Sequence, residues 1–452
     1  LPFFRSSVLP FFRSSVLPFF RSSVLPFFCV LLTLLSASAL AEDNYLTVKG
    51  IAGYENTQFS SFEEAYNTLK PVLATLGGLG QEPASNEAFD ALFTDVDADG
   101  HATLTYTIYG NLTYDESTCP QLLSMGRAAS HYSTSRHLIK FKLVGGKPNR
   151  ASTLTVNSTV TLPYEWWGEK PVSSISFDNL TLNSTKDTKL WVYSAQNGCL
   201  EAIQSTIQNC TFQEIGLYHY NNVPGTVTVV NNTFIGNQTR ATGVHIQGSP
   251  TDPLTINISG NSFTGYVNGA INIDQNTATA AVTNNTIDSA KNAKFGVQIA
   301  RVKTIDISGN TIDLDGGNAF KLYDSLRETH STIAIKSNTI TGSGYLLQDD
   351  AAAKGNSLNA DNLTLNLAGN TITATVDTTR GLNKDGTTQP LNDYLKAAVA
   401  KGTSVPPTPA PVAPAKTAPR TGDSFNAPLY AALLLISVAA AALMLKKRIS
   451  AR

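Results

Sequence analysis

Two stretches of closely similar pattern define the architecture of this chain, Thr304-Ile-Asp-Ile-Ser-Gly-Asn-Thr-Ile312 and Thr332-Ile-Ala-Ile-Lys-Ser-Asn-Thr-Ile340. Each begins with residues that alternate apolar and polar, as in a strand with one buried face, and ends with a unit of Asn, Thr and Ile. The unit recurs roughly every 22 to 32 residues, which is the length of one solenoid coil. Its other copies are Asn179-Leu-Thr-Leu182, Asn209-Cys-Thr-Phe212, Asn231-Asn-Thr-Phe234, Gly260-Asn-Ser-Phe263, Asn284-Asn-Thr-Ile287 and Gly369-Asn-Thr-Ile372.

The repeat predicts a stack of parallel coils, because short strands joined by tight turns cannot bury their apolar residues within one coil. The last residue of each unit is predicted to join one inward column: Phe212, Phe234, Phe263, Ile287, Ile312, Ile340 and Ile372. Asn tolerates the left-handed conformation of a sharp corner, and stacked Asn amides can hydrogen-bond between coils. The predicted corner ladder is Asn232, Asn261, Asn285, Asn310, Asn338 and Asn370, with Cys210 at this position in its coil.

This layout of repeats resembles the right-handed parallel β-helix of the pectate-lyase-like superfamily, from about Ala102 to Arg380. The expected fold class is all-β, with a right-handed parallel β-helix solenoid over residues 102–390. Because an open solenoid end exposes a strand edge, both ends are expected to be covered. Residues 42–101 are predicted to form an N-terminal capping region, with a helix that starts at the capping box Ser61-Phe-Glu-Glu64 and bends or breaks at Pro71. A second capping helix is predicted over residues 391–401.

The C-terminal residues 418–452 carry three elements in order, a short motif, an apolar run over 427–445 and a basic tail. This order resembles the cell-wall sorting signal of Gram-positive surface proteins, in which sortase reads Leu-Pro-x-Thr-Gly. The matching positions are Ala418, Pro419, Arg420, Thr421 and Gly422, with Ala418 where the pattern has Leu. The resemblance implies cleavage after Thr421 and a covalent link from Thr421 to peptidoglycan. The alternative is a plain C-terminal membrane anchor.

The residues on either side of the sorting motif and those at the start of the chain also fit a cell-wall location. The apolar run has about 19 residues and would span about 28 Å as a transmembrane helix, enough to cross a bilayer before sorting. The Pro/Ala-rich residues 402–419 predict an extended wall spacer. Residues 1–41 predict a signal peptide that ends in the small-x-small site Ala39-Leu40-Ala41 and contains three copies of an octad beginning at Leu1.

Composition narrows the function classes. The formal net charge is −1, so no basic excess favours nucleic acid, and only 15% of residues are charged, as suits a β-rich extracellular protein. Four cysteines are present, of which Cys29 lies in the leader. The remaining Cys119, Cys199 and Cys210 include one possible bridge, Cys199 with Cys210, although burial as small apolar residues is the favoured interpretation.

The strands that open at a Gly after each unit carry polar residues at alternate positions. The predicted outward binding face consists of His219, His245, Asn272, Gln298 and Lys321, with Asp274 and Tyr323 in the neighbouring column. A polar strip of this kind suits contact with a sugar or a protein, and an ordinary solvated strand face is the alternative.

Enzymatic activity is a second hypothesis, since β-helix families include polysaccharide lyases and glycoside hydrolases. Hydrolysis needs two carboxylates close together, and a lyase needs a basic residue beside an acidic cluster. The candidate catalytic residues are Asp349, Asp350, Lys321, Asp324 and Arg327. The polygalacturonase order of motifs is absent, and residues of these types are more often solvated charges on a coil surface.

A calcium site is the one cofactor candidate. Asp95, Asp97 and Asp99 resemble the start of a calcium loop, but Tyr106 stands where an EF-hand has its bidentate Glu, so a polar turn is the favoured interpretation. The sequence thus predicts a secreted, wall-anchored β-helix that acts as an adhesin for a glycan or protein. The alternative is a surface polysaccharide lyase or glycoside hydrolase that acts on acidic or complex glycans.

Overall fold

A computed structural model describes most of the chain between Asn44 and Ser404. The described residues are 44–55, 57–75, 85–120, 122–123, 138–146, 152–157, 160–162, 172–184, 189–193, 203–221, 224–236, 242–248, 253–328, 330–373, 375–378, 380–382 and 387–404. The predicted leader 1–41, the sorting motif, the run 427–445 and Cys199 lie outside them. Within the described residues no helix is both long and apolar enough to cross a membrane.

The described chain forms a parallel β-helix, as predicted, and the coils are built from three strands each. The first strands are His101–Tyr109, Leu138–Gly145, Val172–Asp178, Ile203–Gln208, Gly225–Val230, Leu254–Ser259, the later parts of Gly269–Thr283 and Phe295–Ser308, Ser331–Lys336 and Leu363–Asn366. The second strands are Asn111–Tyr114, Thr153–Val156, Thr181–Ser184, Thr211–Gln213, Thr233–Ile235, Ser262–Thr264, Thr286–Asp288, the first parts of Thr311–Leu322 and Thr339–Asp349, Asn370–Ile372 and Thr403–Ser404.

The third strand of each coil completes the repeat before the chain enters the next first strand. These strands are Val160–Leu162, Lys189–Tyr193, Gly216–Asn221, Thr242–Gly248, the first parts of Gly269–Thr283 and Phe295–Ser308, the later parts of Thr311–Leu322 and Thr339–Asp349, and Val376–Asp377. Each strand pairs in parallel with the strand at the same position in the next coil. Residues that share a position therefore form columns along the whole solenoid.

The inward column of the second strands is confirmed. All seven predicted Phe and Ile residues are at most 2% exposed. The rings of Phe212 and Phe234 stack with centroids 4.6 Å apart, and those of Phe234 and Phe263 with centroids 4.7 Å apart. Since these distances match the spacing of paired strands, the stacking follows directly from the register.

The Asn ladder is also confirmed, and it connects six consecutive coils. Asn261 shows the pattern: its backbone N–H and its amide Nδ2 both donate to Asn285 Oδ1 at 2.9 Å, and Nδ2 also donates to the Val229 carbonyl. The same bonds link Asn232 to Asn261 and continue through Asn310 and Asn338 to Asn370. Every ladder Asn is at most 2% exposed, so each buried amide is satisfied by its neighbours.

The left-handed conformation at this corner belongs to the residue before the ladder position, which corrects the prediction. Residues with φ between 53° and 73° precede the ladder at Asn179, Asn209, Asn231, Gly260, Asn284, Gly309, Ser337 and Gly369. The ladder Asn itself is buried and leads directly into the second strand. An exposed residue can therefore take the strained turn, where Gly or Asn fits with least cost.

The state of Cys119 and Cys210 agrees with their interpretation as small apolar residues of the core. Cys119 and Cys210 are both buried thiols without a disulfide. Cys210 occupies the ladder position, and its backbone N–H donates to Asn232 Oδ1 at 2.9 Å. Burial raises the pKa of the Cys210 thiol to about 12, so this group is an inert core residue.

Both ends of the described solenoid are covered. At the N-terminal end, Tyr45–Lys49 pairs antiparallel with His101–Tyr109 and with Gln58–Phe59. Helix α1, Phe62–Thr75, packs Phe62 edge-on against Tyr114 at 5.2 Å. At the other end, helix α3, Asp393–Gly402, buries Leu395 and Val399. The structure also contains α2, Asn86–Asp90, two 3-10 helices at Asp324–Glu328 and Ala352–Lys354, and an antiparallel pair of Arg380–Leu382 with Thr388–Pro390.

Helix α1 begins with the predicted capping residues. Ser61 Oγ accepts from the Glu64 N–H at 3.1 Å. Glu64 Oε2 accepts from the backbone N–H of Ser60, which lies one residue before the donor of a standard capping box. A bend or a break was predicted at Pro71; the helix continues through Pro71 to Thr75, so it does not break there.

Candidate functional site

A column of polar side chains follows the outward positions of the third strands. It consists of Tyr218, His245, Asn272, Gln298, Lys321 and Gln348, which pair in register from coil to coil. We call this column the polar strip. Four of the five residues predicted for it are brought together here, while Tyr218 and Gln348 extend it at either end.

His219 does not belong to the polar strip, and its predicted outward orientation is wrong. It pairs with Ile246 and is 0% exposed, with Nε2 2.9 Å from Ser205 Oγ. The prediction aligned His219 with His245. In the structure Gly216 and Gly243 occupy the same position, so it is Tyr218 that aligns with His245. Burial lowers the pKa of His219 to about 4, so the ring is neutral near pH 7.

Neighbouring members of the strip contact one another. The rings of Tyr218 and His245 meet edge to face at 4.5 Å, and Gln298 Nε2 donates to Asn272 Oδ1 at 3.0 Å. In the adjacent column, Asp274 Oδ1 accepts from Arg301 Nε at 2.6 Å. The strip is therefore a partly covered polar surface whose side chains already bond to one another, and Asn272 and Gln348 are only 8% and 6% exposed.

The strip ends at a charged cluster that contains all five candidate catalytic residues. Asp324 lies at the centre and accepts from Arg327 Nε at 3.1 Å, Lys354 Nζ at 3.3 Å and Asn356 Nδ2 at 3.1 Å. Burial raises the pKa of Asp324, but these hydrogen bonds outweigh burial and lower it overall. Asp324 is thus an ionised anchor for the cations around it.

Tyr323 connects the cluster to the outward surface. Lys321 Nζ and Lys354 Nζ lie 5.4 Å and 5.1 Å from the centre of its ring, within cation–π distance. Lys321 Nζ also lies 3.9 Å from Asp350 Oδ1. A half-exposed aromatic ring flanked by cations is an arrangement that can contact a sugar ring or an acceptor group of a ligand.

The carboxylates of the cluster are poorly accessible to a substrate. Asp324, Asp349 and Asp350 are 6%, 2% and 0% exposed. Asp349 stands in register with the inward Leu322, and its Oδ1 accepts from the backbone N–H groups of Ala351 and Ala352. Burial raises the pKa of Asp349 to about 6, with those two N–H groups opposing and Asp350 adding to the rise. Buried and already bonded carboxylates fit a structural role better than hydrolysis at an open cleft.

The calcium candidates separate in the structure. Asp95 pairs with Lys49 at 3.1 Å, while Asp97 and Asp99 lie beside His101 as a potential ligand group. Asp97 already accepts from Lys140 Nζ at 2.5 Å and from the backbone N–H groups of Asp99 and His101. The hydrogen bond from Lys140 holds the pKa of Asp97 at about 2. This region has the contacts of a polar turn with an ion pair.

Comparison with known proteins finds no matching family model, no similar curated protein and no similar solved structure. The function is therefore inferred from the sequence and from the geometry of the site.

Sequence reasoning missed several residues of the site. Lys354 and Asn356 bind Asp324 from the segment between a third strand and the next first strand, outside the repeated unit of Asn, Thr and Ile. Tyr218 and Gln348 could have been found from the sequence by a correct alignment of the third strands.

Proposed function

We propose that this protein is a cell-surface adhesin or binding module that holds a glycan, or alternatively a protein, along the polar strip. The observation that carries the proposal is the in-register column of amide, imidazole and ammonium groups, with the ring of Tyr323 beside Lys321. Coils stack about 4.8 Å apart, close to the length of one sugar residue, so successive coils can offer one polar side chain to each sugar. The coils are taken as right-handed, the usual hand of parallel connections.

Substitutions in the polar strip and at the neighbouring Tyr323 test the binding proposal. We expect Tyr323→Ala and Gln298→Ala to weaken binding about tenfold on a glycan array, because each removes about 1.4 kcal/mol of contact. Thr286→Ala is the control, since Thr286 is exposed on a second strand away from the strip. Lys321 is left intact, because its removal would leave Asp350 buried without its cation. Equal binding by all three variants would exclude the strip as the binding surface.

A surface polysaccharide lyase or glycoside hydrolase is the second candidate. It is favoured by one observation: Lys321 pairs with Asp350 and shares the ring of Tyr323 with Lys354, which in turn pairs with Asp324. Release of reducing ends or unsaturated uronates from acidic glycans, abolished by Asp350→Asn, would support the enzyme. Binding without turnover would support the adhesin.

We further propose attachment to the cell wall through Thr421, on the basis of the sequence order alone. The partners in this step are sortase and peptidoglycan, with a membrane span over 427–445 before sorting; no nucleic-acid partner is proposed. We expect Thr421→Ala to move nearly all of the protein from the wall fraction to the membrane or the medium, measured by immunoblotting of cell fractions. Ala418→Leu, which restores the family pattern, should leave it in the wall. An unchanged wall fraction for Thr421→Ala would refute sorting.

A further inference from the structure

The last first strand of the described solenoid, Leu363–Asn366, has its onward edge closed by one side chain of the C-terminal helix. The Tyr394 hydroxyl accepts a hydrogen bond from the Leu365 N–H at 3.3 Å and donates its proton to the Leu363 carbonyl. In a parallel sheet, one residue of a following strand makes both of these bonds with its own backbone. The hydroxyl therefore takes the place of one residue of a further coil, opposite Thr364.

The hydrogen bonds to the preceding coil show which backbone groups form this edge. The Ser331 N–H donates to the Asn362 carbonyl at 3.0 Å. Because successive groups of a strand point to opposite neighbours, the Leu363 carbonyl and the Leu365 N–H point away from the preceding coil. Such groups are a template for another strand, and native proteins cover or block them. Tyr394 is therefore a block on a strand-pairing edge.

Helix α3 depends on docking for its stability. It has 10 residues, a length at which an isolated helix is marginal in water. It buries Leu395 and Val399, and an added Cβ on Gly402 would lie 2.4 Å from the carbonyl oxygen of Leu367. Local opening of a terminal element costs less free energy than global unfolding. We therefore expect α3 to undock, with the short strand Thr403–Ser404 that follows it, while the preceding coils stay folded.

We propose that the edge of Leu363–Asn366 is a self-association site, which Tyr394 closes and which pairs with the same edge of a second copy when α3 undocks. The edge is self-complementary, because two copies related by a two-fold axis can pair antiparallel through it. The Leu363 carbonyl of each copy then accepts from the Leu365 N–H of the other. Undocking also exposes the apolar surface beneath Leu395 and Val399, which pairing of two copies covers again.

Hydrogen exchange of the full-length chain tests the block by Tyr394. Tyr394→Phe keeps the ring and removes the hydroxyl, so the Leu365 amide should exchange about tenfold faster than in the wild type. The measurement is mass spectrometry of fragments that cover Leu363–Asn366. Tyr54→Phe is the matched control, because that hydroxyl bonds to the Thr68 carbonyl in α1. Equal exchange at Leu365 in all three chains would show that Tyr394 does not close the edge.

Disulfide trapping tests the pairing, and it reports on this edge even if the chain associates elsewhere. Antiparallel pairing centred on the exposed Thr364 brings the two Thr364 Cα atoms to about 4.5 Å, which a disulfide can bridge. In the Thr364→Cys chain, adding Tyr394→Phe should raise the yield of disulfide-linked dimer at least tenfold, because both copies open more often. Gly402→Ala displaces α3 without changing the hydroxyl and should have the same effect. Chains without Thr364→Cys control for the native cysteines, of which Cys119 and Cys210 are buried.

Leu365→Pro supplies a variant in which the edge cannot pair. Proline has no N–H to donate, and it is accepted on an edge strand where that N–H faces outward. Added to Thr364→Cys with Tyr394→Phe, it should return the dimer yield to that of Thr364→Cys alone. If neither Tyr394→Phe nor Gly402→Ala raises the yield, the self-association site is refuted, whatever hydrogen exchange shows. A raised yield that persists with Leu365→Pro would also refute it, because the copies would then meet without this strand pairing.

Discussion

Asn285→Leu is expected to destabilise the fold by about 4 kcal/mol, because it interrupts the amide ladder at its centre. Asn285 Oδ1 accepts both the backbone N–H and the amide of Asn261, and its Nδ2 donates to the carbonyl of Ile258. The substitution leaves the Asn261 N–H and the Ile258 carbonyl buried without these partners. Leu fits the volume, as shown by Leu180, which is buried at the equivalent position of an earlier coil. The loss therefore comes from hydrogen bonding and not from a cavity.

The neighbouring residue supplies a matched control for this experiment. Asn284 is exposed and has φ of 55°, a conformation that Gly adopts freely. Asn284→Gly should change the free energy of unfolding, measured by chemical denaturation, by less than about 0.5 kcal/mol. If both variants unfold at the same denaturant concentration, the ladder contributes nothing measurable to stability.

Extending the ladder by one step tests the same physics in the opposite direction. Cys210 already donates its backbone N–H to Asn232 Oδ1. In Cys210→Asn, the new Nδ2 would donate to Asn232 Oδ1 and to the Phe177 carbonyl, following the spacing seen in later coils. We expect a gain of about 1 kcal/mol in the same assay. A destabilised Cys210→Asn would show that the thiol is better packed than an amide at this end of the ladder.

The sequence predicts the columns of this fold well because each is tied to a residue type at a fixed distance from the corner. Phe234 and Ile312 are three residues after a corner residue that must turn sharply, so their inward orientation follows from the strand period. The residue with the left-handed conformation was predicted wrongly, because it was assigned from the frequency of Asn alone. The better signal was the exchange of Gly309, Ser337 and Asn231 at the preceding position, since Gly is accepted where φ is positive.

The candidate site was only partly predictable for a different reason. The third strands begin after loops of variable length, so a one-residue error in alignment moved His219 from the core to the surface. Lys354 and Asn356 lie outside the repeated unit of Asn, Thr and Ile, so the period of that unit does not locate their contacts with Asp324. What sequence can predict here is the chemical character of the cluster, while its burial and pairing depend on tertiary structure.

Acidification is expected to destabilise the fold by about 3 kcal/mol through His219. Its folded-state pKa, lowered to about 4 by complete burial, lies below the ordinary value of 6.5. The unfolded chain therefore takes up a proton at a higher pH than the folded chain does. The stabilisation is fully present above pH 6.5 and is lost as pH falls from 6.5 to 4. Nδ1 of this ring has no hydrogen-bond partner among the described residues, so the core offers no acceptor for a second N–H.

Removing both members of the buried polar pair should abolish this acid sensitivity. The double variant His219→Leu with Ser205→Ala leaves no unpaired hydroxyl and continues the apolar column of Ile246 and Ile273. The matched control His330→Gln changes an exposed histidine and should keep the wild-type acid slope. Asp349 acts with the opposite sign between pH 4 and pH 6, so the slope is best measured in the Asp349→Asn background. If the double variant there still loses stability between pH 6.5 and pH 4, His219 does not cause the acid sensitivity.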